Sequence, residues 1–278
     1  MSQTISLEKM VEAGAHFGHQ MRRWNPQMRD YLHSVKDGVF VFDLVKTGEL
    51  LEEALNVLTD ASKNGKTILI VGTKKQVKEA TKALAKETGI FSVTERWLGG
   101  TFTNFGQIKR SVTKLTDTKA KLATGGYADF TKKERLLIAR DVEKLERMFG
   151  GLVGMNKLPD VMLVIDTHRE QSAVTEARRM KIPTIGVVDS NGDASDVDYP
   201  IPMNDDASTA LEYVLGLFEG AILEGQGRTK TVVEAPKTAI KKEKKAKVVK
   251  EAVVEEVAEV VVEEKVAKKK VAKKVASK

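Results

Sequence analysis

Residues 14–28 read GAHFGHQMRRWNPQM and bring aromatic, imidazole and guanidinium side chains together in one short segment. Arginine can grip phosphate oxygens, and aromatic rings and imidazoles can stack on bases or sugars. Gly18 loosens the backbone and Pro26 favours an extended conformation just before it, which predicts an irregular loop held open for RNA. The residues predicted to make this contact are His16, Phe17, His19, Arg22, Arg23, Trp24 and Asn25. The alternative is that the large aromatic rings fill a core edge while the arginines are only solvated.

The second aromatic and basic element is RWLGGTFTN, residues 96–104. Its two glycines let the backbone approach a partner closely, and its final asparagine can cap a following helix. We interpret it as a contact loop, with the alternative that its tryptophan fills the core at the base of the next helices. The contact residues assigned to it are Arg96, Trp97, Thr103 and Asn104.

A third candidate is the strand-to-helix turn GTKK, residues 72–75. Free backbone N–H groups at such a turn could hold a phosphate, so Lys74 and Lys75 join the predicted contact residues. The spacing of a Walker loop is absent, as is GxGxxG. A simple tight turn with exposed lysines is therefore the favoured interpretation.

Four aspartates near predicted strand ends could gather a hard divalent cation: Asp166, Asp189, Asp205 and Asp206. Asp205 more simply caps the last helix, so the cation site is the less favoured alternative. The chain has no GxSxG motif, and no general-acid partner stands near these carboxylates. We predict no catalytic residue, no metal site and no cofactor, and hence a protein that is not an enzyme.

These side chains must be positioned by an alternation of strands and helices. Short β-branched runs that are apolar on both faces predict buried parallel strands at residues 38–44, 67–73, 161–166 and 184–189, with weaker strands at 92–95 and 199–202. Helical runs are predicted at residues 49–63, 75–87, 170–181 and 206–223, and a short helix capped by Ser6 precedes them. The fold class is therefore α/β, with an open, mainly parallel sheet and helices on both faces.

Residues 104–150 break this alternation with two helical patterns joined at Gly125 and Gly126. Apolar residues recur at helical spacing in both patterns, which predicts an inserted α-helical (coiled-coil) hairpin. Its outer face is basic and could clamp RNA or protein, although such a face is often only solvated. The contact residues predicted on it are Lys109, Arg110 and Lys114.

The length and charge of the chain limit the classes of protein to which it can belong. The chain has 278 residues, 41% of them hydrophobic, which is enough for a core, and no cysteine for disulfides or thiolate chemistry. No apolar run suits a membrane span or a signal peptide, so we expect a cytoplasmic protein without a membrane partner. Residues 1–160 hold 26 basic and 19 acidic side chains, whereas residues 161–226 hold 4 and 12. This uneven distribution of charge suits a protein that binds RNA through a basic face and basic proteins through an acidic face. Solubility alone could also explain the acidic face.

The last segment, residues 227–278, is a low-complexity mixture of Lys, Glu, Val and Ala without an aromatic residue. Such a composition predicts a disordered basic tail that binds polyanions nonspecifically. We therefore expect one rRNA- and protein-docking domain over residues 1–226, including the hairpin, followed by the tail.

Four motifs taken together resemble the second protein of the bacterial small (30S) ribosomal subunit, the S-two family. They are GAHFGHQMRRWNPQM, RWLGGTFTN, VIDTHREQSAVTEARRMKIPTIGVVDSN and DVDYPIPMNDDA, and the resemblance runs over about residues 5–225. The resemblance implies a flavodoxin-like domain with a coiled-coil hairpin that binds small-subunit (16S) rRNA between head and body, in the small ribosomal subunit. It also implies contacts with other small-subunit ribosomal proteins, including the large mRNA-binding ribosomal protein, and we expect no homo-oligomer. The sequence departs from the commoner family pattern at residues 192–195, GDAS, and in its long tail.

Two further functions stay open at this point. An enzyme of the same fold could act on a phosphorylated substrate at the strand ends. A free-standing RNA chaperone would depend on the tail rather than on the fold.

Overall fold

The structure, a computed structural model, describes residues 5–127 and 129–228. The chain divides into two units, Met1–Lys230 and Thr231–Lys278, and everything described below belongs to the first. The predicted tail lies outside the described residues apart from its first two positions.

The described residues form the strands β1 (Phe17–Gln20), β2 (Leu32–Lys36), β3 (Val39–Phe42), β4 (Ile68–Val71), β5 (Phe91–Val93), β6 (Val161–Ile165), β7 (Thr184–Val188) and β8 (Tyr199–Pro202). They form the helices α1 (Leu7–Glu12), α2 (Leu44–Lys63), α3 (Lys78–Thr88), α4 (Phe105–Ala123), α5 (Lys132–Phe149), α6 (Gln171–Met180) and α7 (Ser208–Gly225). Short 3-10 turns cover Pro26–Tyr31, Gly150–Leu152 and Ala194–Asp196.

The central sheet contains five parallel strands in the order β5-β4-β6-β7-β8. Ranked along the chain, this order is the 2-1-3-4-5 of flavodoxin-like folds. Every residue of β4, β6 and β7 is buried, as the runs that are apolar on both faces predict. Helices α2, α3 and α7 cover one face, and α6 with the base of the hairpin covers the other. The predicted fold class is confirmed.

The prediction that residues 38–44 form a buried parallel strand is wrong. They contribute β3, which pairs antiparallel with β2 and β1 in a separate three-stranded sheet. Asp37 and Gly38 both have positive φ, 52° and 78°, which is the geometry of a tight two-residue hairpin turn. Only Phe42 of this strand is fully buried, so β3 serves the small sheet rather than the main core.

The prediction of an irregular loop over residues 14–28 is wrong in part. The segment contains β1, and its end begins the 3-10 turn Pro26–Tyr31, with the Asn25 side chain accepting from the Gln27 N–H. Gly18 is required here by packing: a Cβ would lie 3.0 Å from Ser190 Oγ and 3.2 Å from the Phe40 carbonyl oxygen. The glycine thus lets β1 pack closely on the main sheet instead of loosening the chain.

The helices agree with the sequence patterns to within a few residues, except at the start of α2. That helix begins at Leu44 because the Asp43 carboxylate accepts from the Val45 N–H and caps it. Ser6 caps α1 as predicted, by accepting from the Lys9 N–H. The hairpin is confirmed as α4 and α5. No helix in the described part of the chain is long and apolar enough to cross a membrane.

Candidate functional site

The contact segment, residues 14–28, is fixed to the carboxyl edge of the main sheet through its backbone. The His19 N–H donates to Ser190 Oγ at 2.7 Å, and the Asn25 N–H donates to the Ser190 carbonyl at 2.7 Å. The Asn204 N–H donates to the Ala15 carbonyl at 3.0 Å. Both ends of the segment are therefore held by loops that follow β7 and β8.

Between these anchors the segment presents its side chains outward. Arg22 and Arg23 are exposed, and Phe17 retains 48% of its accessible surface. The half-buried Trp24 ring packs on Phe40 with centroids 4.9 Å apart, and the half-buried His16 ring lies 4.0 Å from the Phe17 ring. Phe17 does not fill a core edge, so the alternative interpretation of that ring is wrong.

His19 points inward, to the carboxylates of the sheet edge. Its Nδ1 lies 2.9 Å from Asp189 Oδ1, and its Nε2 lies 3.6 Å from Asp206 Oδ2. The contact with Asp189 raises the pKa of His19, although burial opposes the shift. When protonated, this histidine links β1 ionically to the main sheet.

The expectation that both lysines of the GTKK turn are exposed is wrong for Lys74. Its ammonium is buried, with its Nζ 2.7 Å from Asp205, 2.6 Å from Asp206 and 3.5 Å from Asp166. Burial disfavours the charged form, but the hydrogen bonds to Asp205 and Asp206 outweigh it and raise the pKa of Lys74. Lys75 is exposed as predicted.

Three of the four aspartates proposed as cation ligands contact this lysine, whereas Asp189 contacts His19. The ammonium supplies the positive charge that a divalent cation would bring. Burial, together with repulsion from Asp189 and Asp166, raises the pKa of Asp205. The prediction that Asp205 caps the last helix is wrong, because α7 begins at Ser208 with Ala207 at its N-cap position and without a side-chain capping hydrogen bond.

The loop at residues 96–104 is organised by Glu176 of α6, a residue that sequence reasoning missed. The Glu176 carboxylate accepts from Trp97 Nε1 at 3.1 Å, from the N–H groups of Gly100, Phe102 and Thr103, and from the Thr103 hydroxyl. Burial opposes the charge, but these donors lower the pKa of Glu176. A signal existed, because Glu176 lies three residues after Ala173, on the buried face of α6.

Trp97 itself is buried and packs edge-on against Phe102, with centroids 4.9 Å apart. It joins the core at the base of the hairpin, so the alternative interpretation of this ring is confirmed. Arg96, Thr103 and Asn104 are exposed. The predicted cap by Asn104 is wrong, because its side chain makes no capping hydrogen bond at the start of α4.

The hairpin presents a basic face along α4. Ile108 and Leu115 are buried toward the core, whereas the opposite side of the helix is open to solvent. The basic side chains on this open side are Lys109, Arg110, Lys114 and Lys121, and Asp117 is its one carboxylate among the described residues. Across the hairpin, Lys119 pairs with Glu146 at 2.5 Å.

A protein whose parallel sheet carries buried ion pairs at its carboxyl edge, and which displays an arginine-bearing segment and a basic hairpin, has the features of a docking protein. The family described as ribosomal protein S2 matches residues 10–225, and the chain belongs to that family. The small ribosomal subunit protein uS2 of Geotalea uraniireducens (strain Rf4) is 44% identical over 221 residues, which covers 80% of this chain and 86% of that protein. The chain is therefore a structural protein of the small ribosomal subunit and not an enzyme.

Proposed function

We propose that the chain binds small-subunit rRNA mainly through the contact segment. The observation that carries this proposal is the pair of exposed arginines, Arg22 and Arg23, held out by backbone anchors at both ends of the segment. A backbone anchored in this way loses little further freedom when the two guanidinium groups bind phosphates. The neighbouring Phe17 and Trp24 rings add stacking surface.

The basic face of α4 is the second rRNA surface in this proposal. Its cations recur along a helix of 19 residues, which extends roughly 30 Å. A protein with two separate basic surfaces can bridge two parts of an RNA, which supports a position between the head and the body of the subunit. The docking domain in this proposal is residues 1–226.

The acidic face is assigned to neighbouring ribosomal proteins. Between Ile182 and Gln226 the chain has no Lys or Arg, and basic ribosomal proteins complement such a surface. We include the large mRNA-binding ribosomal protein among these partners because the four sequence motifs resemble those of the S-two family. The protein would act in the cytoplasm as one copy in each subunit.

The test is the double variant Arg22→Ala and Arg23→Ala in the full chain. It should weaken co-sedimentation with the small subunit and lower the slope of log affinity for rRNA against log salt, because two guanidinium groups no longer bind phosphates. The melting temperature should change little, since both side chains are exposed.

The matched control is Lys63→Ala with Lys66→Ala, which removes the same charge from exposed positions near the amino ends of the strands. It should retain wild-type binding. A large loss of stability with unaltered subunit association in the arginine variant would show that the segment is only structural.

A further inference from the structure

A shallow, open cleft lies beside β5, the edge strand of the main sheet, between α3 and the root of the hairpin. Its volume is about 520 Å³. Helix α3 contributes Lys82 and Lys86, which are four residues apart and therefore share a face of the helix. The last turn of α5 contributes Arg147, and β5 contributes Phe91 and Ser92. The β5 cleft thus has basic side chains on two separate helices.

The two carboxylates that line the β5 cleft are each paired with a cation from outside its lining. Glu95 Oε1 lies 2.6 Å from Lys78 Nζ, and Glu146 Oε1 lies 2.5 Å from Lys119 Nζ. These two outer lysines compensate the negative charge of the lining. The three cations of the lining are therefore in excess.

Lys86 and Arg147 are exposed, and neither forms an ion pair in the described part of the chain. The cations of the two helices also act on one place. The hydrogen bond from Lys78 lowers the pKa of Glu95, and the charges of Lys82 and Arg147 add to this shift although burial opposes it. An ammonium and a guanidinium without carboxylate partners beside one cleft suit an anion.

Close packing fixes the backbone around the β5 cleft. A Cβ at Gly151 would collide with the Ser92 backbone, so the turn after α5 lies directly against β5. A backbone held in this way loses little further freedom when a partner binds. The side chains of Ser92 and Thr94 also belong to the lining, and hydroxyl groups are common donors to phosphate oxygens.

We propose that the β5 cleft binds backbone phosphates of the small-subunit rRNA through Lys86 and Arg147. Phosphate contacts of this kind position a protein on RNA without reading its sequence. The strand order places β5 three positions, or about 14 Å, from β7, whose following loop anchors the contact segment. The inference rests on the proposed function and adds an RNA contact that is separate from the contact segment.

The test is Lys86→Gln with Arg147→Gln in the full chain, measured by filter binding to small-subunit rRNA over a range of salt concentrations. The slope of log affinity against log salt should fall by roughly 1.4 to 1.8, because two phosphate contacts are lost at about 0.7 to 0.9 each. The matched control, Lys63→Gln with Arg179→Gln, removes one lysine and one arginine from exposed positions in the last turns of α2 and α6. It should keep the wild-type slope.

A second measurement covers the case in which the cleft variant folds poorly. The chain has no cysteine, so Val153→Cys, at an exposed position of the lining, gives one attachment site for an iron–EDTA probe. Hydroxyl radicals from this probe should cleave the rRNA backbone in small subunits assembled with the labelled chain.

An unchanged salt slope in a folded cleft variant, or no rRNA cleavage from the probe, overturns the inference. Loss of a neighbouring ribosomal protein from the subunit with an unchanged slope also overturns it, because the cleft then binds protein. If Arg22→Ala with Arg23→Ala lowers the slope and the cleft variant does not, only this inference fails. If the wild-type chain does not bind small-subunit rRNA, the proposed function itself fails.

Discussion

The Lys74 ammonium joins three loops at the carboxyl edge of the sheet. It belongs to the loop after β4 and contacts Asp166 from the loop after β6, and Asp205 and Asp206 from the loop after β8. An exposed ion pair contributes little to stability, whereas a buried charge whose partner is removed is costly. The lysine is therefore a structural residue, although its position in a GTKK turn suggested a phosphate contact.

We expect Lys74→Met to lower the free energy of unfolding by about 3 kcal/mol, because it leaves neighbouring carboxylates without their cation. Lys75→Met, at the adjacent exposed position, should change it by less than about 0.5 kcal/mol. Urea denaturation of both variants measures the difference. Equal stabilities would mean that the carboxylates do not need the ammonium.

His19 should make stability depend on pH. Its pKa is raised in the folded protein above the ordinary 6.5, so its ion pair contributes fully below that value. The contribution disappears as pH rises through the folded pKa. Urea denaturation at pH values between 6 and 8 should therefore show that the free energy of unfolding of the wild type falls as pH rises. This fall should be smaller for His19→Gln.

His33→Gln is the control for this experiment, since His33 is exposed on β2. It should keep the wild-type pH dependence. If His19→Gln and wild type lose stability in parallel across this range, the imidazole is not an ionic link.

At the scale of elements, the hairpin combines a buried base with a projecting arm. Phe149 packs with Trp97 and Phe102 in the core, and Glu176 fixes the loop that leads into α4. Farther out, Leu136 and Leu137 are about half exposed. The base thus belongs to the domain, whereas the arm is available for docking.

We expect that replacing residues 119–146 by a short flexible linker leaves a folded α/β domain that binds the subunit poorly. The cut removes the Lys119–Glu146 pair and the outer arm, including the buried Val142, but keeps Leu115 and Phe149 in the core. Near-ultraviolet circular dichroism tests the fold, and co-sedimentation tests docking. Loss of the near-ultraviolet signal would show that the arm is needed for core packing.

The main sheet could be predicted because its strands are locally distinctive, with every residue of β4, β6 and β7 apolar enough for burial on both faces. The small sheet could not be predicted, because the sequence of β3 resembles that of a buried parallel strand. Only its pairing with β2 across the Asp37–Gly38 turn shows that β3 is antiparallel to its neighbour. The contact segment was predicted from residue types alone. Its anchor Ser190 was not, because His19 and Ser190 lie 171 residues apart in sequence.

The charges of the whole molecule separate along the chain. Residues 1–160 are basic, residues 161–226 are acidic, and residues 227–278 hold 16 basic and 8 acidic side chains. The aromatic and glycine-bearing elements that could recognise shape all lie before the tail. We therefore assign specific docking to the domain and only nonspecific polyanion affinity to the tail.

Deleting residues 231–278 should spare incorporation into the small subunit. It should reduce nonspecific rRNA affinity and flatten its salt dependence, by roughly 0.7 to 0.9 in the slope of log affinity against log salt for each phosphate that the protein no longer binds. Filter binding from low to moderate salt, with and without the tail, measures this. An unchanged slope, or complete loss of incorporation, would contradict the assignment.

Because Ser190 anchors β1, the contact segment can adopt its final structure only late in the synthesis of the chain. The ribosome that makes this chain produces Arg22 and Arg23 early, but the serine that positions them emerges 171 residues after His19. At a synthesis rate of about 5–20 residues per second, roughly 10–30 s pass between the synthesis of the two arginines and the synthesis of Ser190. During that interval the nascent polypeptide cannot present the finished contact surface. If the proposed function is correct, we expect high-affinity binding to rRNA to begin only when translation of the domain is nearly complete.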